Sequence, residues 1–280
     1  MPELPEVEIT RRGLLPLLNQ TVKNVVIRNA SMRWPIPAHL PETLKNQKLI
    51  SLERRAKYIL ATFQNEKLEH GTLLLHLGMS GHISLLDRNY PPEKHDHFDI
   101  EFHGLDGKSG QILRLNDPRR FGAVLWAGLE ANNHALLQPL GPEPLSDEFN
   151  GKYLHESIRT RSAAIKTTIM DSHLVVGVGN IYASESLFRA RINPQLPANK
   201  VSLAKCKQLA EEIKNTLNDA LKAGGSSLRD FVQTDGTPGY FQQEYFVYGR
   251  TDEPCKVCGK PIKTVRLGQR STFYCTACQR

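Results

Sequence analysis

The feature that most constrains this chain lies near its C-terminus, where Cys255, Cys258, Cys275 and Cys278 form a C-x2-C-x16-C-x2-C pattern. Two such knuckles can close one tetrahedral Zn²⁺ site, and four thiolates leave no open position for catalysis. The spacing therefore predicts one structural zinc ion, pinning a β-hairpin too small to bury a core of its own. The connecting stretch, IKTVRLGQRSTFYC, supplies that hairpin and carries Arg266 and Arg270. A fifth cysteine, Cys206, stands alone in LAKCKQLAEEI, a helical pattern. The opening residues, MPELPEVEITRR, are too acidic and polar for a secretory signal. A reducing compartment is expected, where paired cysteines read as metal ligands rather than disulfides.

The same tail is basic. Between Arg250 and Arg280, seven Lys and Arg face only Asp252 and Glu253, in a chain with net charge +7 and pI about 9.1. Such a patch favours a polyanionic partner. With 280 residues, 40% apolar and 23% charged, the chain suits one large domain or two modest ones. Mean hydropathy is −0.39 and no apolar run approaches the ~20 residues that span a bilayer. These numbers argue against a membrane protein, a secreted disulfide scaffold and a disordered chain.

A helix-like run around Val7, Ile9, Leu14 and Leu18 opens the sequence. From Val22 to about Trp126 short β-rich runs follow: TVKNVVI, KYILATF, GTLLLHL, HFDIEF, QILRL and AVLWA. Gly, Pro, Asn and Asp separate them, including Asp106–Gly107. Strands at this spacing suggest a sandwich or barrel. The proline-rich QPLGPEPLSD reads as a linker. Beyond it the pattern is helical: YLHESIRTRSAAIKTTIMD, IYASESLFRARI, and SLAKCKQLAEEIKNTLNDALKAGG, the last with Ser202 as N-cap and Gly224–Gly225 as stop.

Several fragments admit two readings. VVGVGNIYASES contains G-x-G, but Tyr182 stands where a dinucleotide fingerprint needs Gly, and no βαβ unit surrounds it. It is either a glycine-rich turn entering a helix at Asn180, with N–H groups open to a phosphate, or a plain helix–helix turn. Lys57 lies in RRAKYIL, ordinarily a solvated basic edge. His95 and His97 in KHDH lack a third metal ligand nearby and read as a polar loop, with His95 a candidate phosphate contact. Met79 in HLGMSGH and Phe121 in DPRRFGAV are by default packing residues, yet an apolar side chain flanked by glycines or arginines also suits a wedge into stacked bases. Pro2 is the odd feature. Freed of Met1, its amine would be far less basic than lysine and nucleophilic near neutral pH. Glu3 and Glu6 lie close enough in sequence to act as an acid. The ordinary alternative is a proline in a first helical turn with acids favouring the dipole.

MPELPEVE, RRAKY, HLGMSG, DPRRFG, VVGVGNIYASES and QRSTFYC-x2-C together, in this order and over nearly the whole chain, resemble the formamidopyrimidine-DNA glycosylases. The resemblance implies an α+β multidomain protein. An N-terminal β-sandwich domain with flanking helices spans 1–135, a linker 136–149, a helix–two-turn–helix DNA-binding domain 150–240, and a β-hairpin zinc finger 245–280. It implies a monomeric glycosylase and abasic-site lyase that excises oxidised purines, 8-oxoguanine and formamidopyrimidines, from duplex DNA held across an interdomain cleft. Such an enzyme is expected in the cytoplasm, on nucleoid DNA. By matching positions, Pro2 attacks C1′ and Glu3 protonates the sugar ring oxygen. Lys57 serves β-elimination, and Arg270 the second elimination and a flanking phosphate. Met79, Arg119 and Phe121 fill the void left by the flipped base, Arg119 facing the orphaned cytosine. His95, Arg161, Lys166 and Asn180 contact DNA. The Ser226–Tyr240 region is expected to close over the flipped base. An endonuclease VIII-like glycosylase for oxidised pyrimidines is the near alternative. The PELPEVE start and the Met–Arg–Phe set argue against it. A noncatalytic zinc-finger DNA-binding protein is the distant one, and it leaves the Pro2–Glu3 terminus unexplained.

Overall fold

The computed structural model describes residues 2–87, 90–105, 110–226, 234–235 and 241–280. It divides into two compact units, Met1–Gln138 with Ala223–Tyr240, and Pro139–Lys222 with Phe241–Arg280.

The first unit begins with helix α1 (Leu4–Gly13), which buries Leu4, Val7 and Ile9. Pro16 then turns the chain into a short 3₁₀ segment, Leu15–Leu17. Two four-stranded antiparallel sheets follow. The strands are β1 (Val22–Ile27), β2 (Lys48–Arg55), β3 (Tyr58–Gln64), β4 (His70–His76), β5 (His82–Asp87), β6 (Asp96–Phe102), β7 (Gln111–Asn116) and β8 (Ala123–Gly128), with a short helix α2 (Leu40–Leu44) between β1 and β2. One sheet runs β1-β6-β7-β5 and the other β2-β3-β4-β8. Their inward residues form a single apolar cluster: Val25, Phe98, Ile100 and Leu113 from one, Leu52, Ile59, Leu73 and Val124 from the other. This is the face-to-face packing of a β-sandwich.

Two strands escape the sequence reading. β2 and β5 are each the edge of their sheet. An edge strand is half solvated, and KLISLERR shows it, with every third or so residue exposed. The expected Asp106–Gly107 turn lies outside the described residues.

The second unit contains α3 (Gly151–Ile158), α4 (Ile165–Ile169), α5 (Asn180–Arg189), α6 (Leu203–Lys222) and the hairpin β9 (Lys263–Leu267)–β10 (Arg270–Tyr274). Asn150 caps α3, its side chain accepting from the N–H groups of Lys152 and Tyr153. Ser202 accepts from Lys205 N–H ahead of α6. The run expected as one helix from Tyr153 to Asp171 is two, α3 and α4. Between them the backbone turns to external partners, Ala163 O accepting from Ala198 N and Arg161 O from Asn199 N. The proline-rich segment packs within this unit: Gly141 N–H bonds Ser172 O, and a Cβ at Gly141 would meet His173 O at 2.7 Å. No helix among the described residues is long and apolar enough to cross a membrane.

Candidate active terminus, base-stack loops and metal centre

In the sandwich unit, Pro2 and Glu3 are buried at the start of α1. Glu6, equally buried, ties this terminus down. Its Oε2 accepts from Glu3 N at 2.8 Å, and its Oε1 from Ser226 N at 2.9 Å. The helix start thus uses a carboxylate to satisfy an N–H that has no partner in the helix itself.

Lys57 sits at the tip of the β2–β3 hairpin, after Ala56 in the left-handed region (φ 55°). Across from the next residue, Tyr58, stands His76 of β4, with ring centroids 4.8 Å apart. Burial, then the charges of Lys57 and Arg33, push the His76 imidazole down to about 4, so it is neutral near pH 7. Its Nδ1 accepts from Gly78 N at 3.0 Å. The sequence does not single out His76, although it opens the HLGMSG fragment that carries Met79.

His95 lies half-buried ahead of β6. Its loop is pinned from beneath by Arg114, which donates to Tyr90 O and Pro91 O and pairs with the buried Asp99 at 2.8 Å. Burial alone would raise the Asp99 carboxyl. Hydrogen bonds from Arg114 and Arg28 outweigh it and hold the group below the usual carboxylate range.

Met79 is half-buried, whereas Arg119 and Phe121 are exposed. The Arg119 guanidinium lies 5.0 Å from the Phe121 ring centroid. The Phe121 ring is 43% exposed and lies beside this cation on a loop, not in a core. Of the expected Ser226–Tyr240 region, only Ser226, Thr234 and Asp235 lie within the described residues.

In the second unit, Gly177 (φ 79°) turns the chain and Gly179 precedes Asn180 at the start of α5. Lys166 is buried in α4. Its Nζ donates to Asn180 Oδ1 at 2.6 Å, Ser271 O at 3.0 Å and Thr272 Oγ1 at 2.7 Å. Asn180 Nδ2 also donates to Ser271 O. Lys166 therefore braces the α5 turn against β10, whose exposed first residue is Arg270. Arg161 is half-exposed and pairs with Asp171 at 2.7 Å. Glu185, which sequence reasoning missed, is buried. Its carboxylate accepts the N–H groups of Phe246, Val247 and Tyr248 at 2.8–3.0 Å, setting the chain that leads to the finger.

The four cysteine sulfurs lie within 4.8 Å of one another. Cys255 Sγ and Cys278 Sγ are 3.9 Å apart, and Cys258 Sγ and Cys275 Sγ 3.4 Å. Tetrahedral Zn–S bonds of about 2.3 Å require sulfur separations near 3.8 Å, so the residues fit this ion. Val257 N–H points at Cys255 Sγ, and Gly259 (φ 74°) closes the first knuckle. The hairpin's own apolar centre is Ile262 with Cys255 and Cys275, continued by Phe188 and Val247.

Comparison with known proteins extends this geometry. The model of the formamidopyrimidine-DNA glycosylase N-terminal domain matches residues 1–124, that of the family's H2TH domain 140–232, and a zinc finger found in FPG and IleRS 252–280. The chain belongs to the formamidopyrimidine-DNA glycosylase family. It is 62% identical to the formamidopyrimidine-DNA glycosylase of Methylobacillus flagellatus, covering 100% of this chain and 97% of the relative. It is 52% identical to that of a Janthinobacterium species, with both chains fully covered. Among solved structures, the wild-type Lactococcus lactis Fpg in complex with DNA containing N7-benzyl-Fapy-dG superposes with TM-score 0.89 at 31% identity over the whole of both chains. MutM (Fpg) from Thermus thermophilus gives TM-score 0.86 at 34% identity, over 99% of this chain and 98% of that one. In this formamidopyrimidine-DNA glycosylase family member the four cysteines hold one structural zinc ion.

Proposed function

We propose that this protein is a base excision repair enzyme that removes 8-oxoguanine and formamidopyrimidines from duplex DNA and cleaves the resulting abasic site by β,δ-elimination. The observation that carries the reading is the buried Pro2–Glu3 terminus, fixed by Glu6 at the head of α1. The capping box alone would serve any helix, but a DNA-binding module needs no secondary amine beside it. Once Met1 is removed, the Pro2 secondary amine attacks C1′ and the glycosidic bond breaks, the base leaving with its bonding pair and taking up the proton that the amine loses. Glu3 gives a proton to the sugar ring oxygen, the ring opens, and a C1′ iminium to Pro2 remains. That cation acidifies C2′–H. Loss of this proton expels the 3′ phosphate, and a second elimination expels the 5′ phosphate. Lys57 serves the first elimination and Arg270 the second.

The target base leaves the stack, as base chemistry requires. Met79, Arg119 and Phe121 fill the gap, with Arg119 towards the orphaned cytosine. His95, Arg161 and Asn180 hold phosphates, and Lys166 supports Asn180 and β10 from within. Bound zinc supplies the fixed hairpin from which Arg270 extends. The sandwich within 1–135 forms the catalytic domain, the helices within 150–240 the helix–two-turn–helix domain and 245–280 the finger, in a monomer that works on cytoplasmic, nucleoid DNA.

Borohydride trapping on a duplex carrying 8-oxoguanine opposite cytosine tests the mechanism. The expected result is a covalent protein–DNA product whose peptide map places the link on residue 2. Retained Met1 should abolish trapping. A link on Lys57, or normal cleavage by Met1-blocked protein, overturns the reading.

A further inference from the structure

The loops Leu77–Gly81 and Asp117–Gly122 carry Met79, Arg119 and Phe121. A side chain with no part in the reaction binds them together. Asp117 is fully buried. Its Oδ1 accepts from Ser80 Oγ at 2.7 Å, and its Oδ2 from Gly122 N at 2.8 Å. Ser80 Oγ in turn accepts the N–H of Arg119 at 3.2 Å. The Asp117 main chain extends the junction, its N–H donating to His95 O and its carbonyl accepting from His97 Nε2 and Arg120 N.

Contact between the two loops is close. A Cβ at Gly78, itself at φ 64°, would meet both Gly122 N and Phe121 C at 2.4 Å. One at Gly122 would meet His76 O at 2.7 Å. Arg120 occupies the left-handed region (φ 56°), a bend that costs a non-glycine residue energy and must be held from outside. Carboxylate bonds to Ser80 and Gly122 N–H, charge-assisted and shielded from water, supply that hold.

We propose that Asp117, acting through Ser80, is the positioning residue that presents Met79, Arg119 and Phe121 as one preformed wedge and thereby makes excision depend on which base stands opposite the lesion. A side chain that probes the orphaned base can discriminate only if its backbone is fixed. Arg119 and Phe121 are themselves exposed and gain no such fixing from a core. The inference rests on the void-filling reading of these three residues given above.

The test uses full-length, zinc-loaded protein in single-turnover excision. Substrates are duplexes with 8-oxoguanine opposite cytosine or adenine, and a duplex with a preformed abasic site. Ser80→Ala removes the link between Asp117 and the Arg119 N–H. It should slow excision opposite cytosine by about tenfold, the scale of one buried charge-assisted bond. It should slow abasic-site cleavage distinctly less and narrow the cytosine-over-adenine ratio. Asp117→Asn, which keeps the shape but turns one acceptor into a donor, should show the same pattern. If Asp117→Asn does not fold, Ser80→Ala decides alone. Arg119→Ala checks the reading beneath. If it narrows the ratio while Ser80→Ala and Asp117→Asn leave it intact, the positioning role is overturned. If Arg119→Ala also leaves the ratio intact, the void-filling reading fails and this inference with it. Equal fractional losses on all three substrates would mark the junction as structural only and overturn it too.

Discussion

The two units solve one problem with opposite charges. In the sandwich, a buried carboxylate, Asp117, draws two loops together through a hydroxyl and an N–H. In the helical unit, a buried ammonium, Lys166, draws the Asn180 turn to strand β10 through an amide oxygen, a carbonyl and a hydroxyl. An anion gathers donors and a cation gathers acceptors. Neither group needs to touch DNA to matter. A buried charge of either sign is costly unless surrounded, so each fixes its neighbours' geometry.

The comparison breaks most sharply at the metal. Four thiolates organise the finger, whereas the sandwich unit contains no cysteine. Removal of zinc by a chelator, or Cys258→Ser, should lower affinity for lesion duplex by at least about a hundredfold, since folding of such a hairpin is coupled to metal binding. The circular-dichroism signal and melting of the sandwich should persist. Active, fully binding protein without zinc by elemental analysis would remove the distinction.

Lys166→Met is the next step down. It leaves acceptors on Asn180, Ser271 and Thr272 short of a buried donor, at about 1–3 kcal/mol. Affinity for a duplex with a stable abasic analogue should fall about tenfold. Because the ammonium works through its neighbours, the slope of log K against log salt should change little. Arg270→Ala, by contrast, should reduce that slope by about 0.9. Equal slope changes would make Lys166 a direct phosphate contact.

A smaller, selective effect is expected at the sandwich wedge. Phe121→Ala should slow excision of paired 8-oxoguanine several-fold, about the scale of lost base unstacking, and cleavage at a preformed abasic site less. Parallel losses in single-turnover rates would count against a wedge.

The smallest is at His76. Its value of about 4 means the folded imidazole remains neutral while an unfolded one protonates near 6.5. Stability from this group is present above about 6.5 and declines as pH falls towards 4. An NMR titration should show no imidazole protonation between pH 8 and 5.5, and urea midpoints for His76→Gln should vary less over pH 6.5–4 than those of the parent. A titration near 6.5 would refute it.

Much of this was legible in the chain. Six strands and the finger carry period and spacing that need no tertiary context, and the four cysteines declare their ligand. β2 and β5 were hidden because their apolar residues are interrupted by exposed or half-exposed ones, with no continuous apolar run. Asp117, and the burial of Lys166, which the resemblance places only among the DNA contacts, were hidden for another reason. Both stand in polar, basic fragments, KTT and DPRR, where burial cannot be inferred from neighbours in sequence. The partners of Lys166 lie 14 to 106 residues away, and Ser80, which ties Asp117 to the other loop, lies 37 away. Glu185 was invisible likewise, since its partners are backbone groups of residues 246–248.

One arrangement bears on how the protein can be divided for study. Ala223–Tyr240 follows α6 in sequence yet clusters with the sandwich. Ser226 N–H satisfies Glu6, Thr234 O takes the edge N–H of Leu85, and Thr234 Oγ1 fills the space where a Cβ of Gly13 would stand, 1.9 Å from it. A fragment ending at residue 138 would lose the Ser226 bond to Glu6 and the Thr234 bond to the β5 edge. Supplying 223–240 as a separate peptide, or rejoining it by circular permutation, should recover what a simple cut removes.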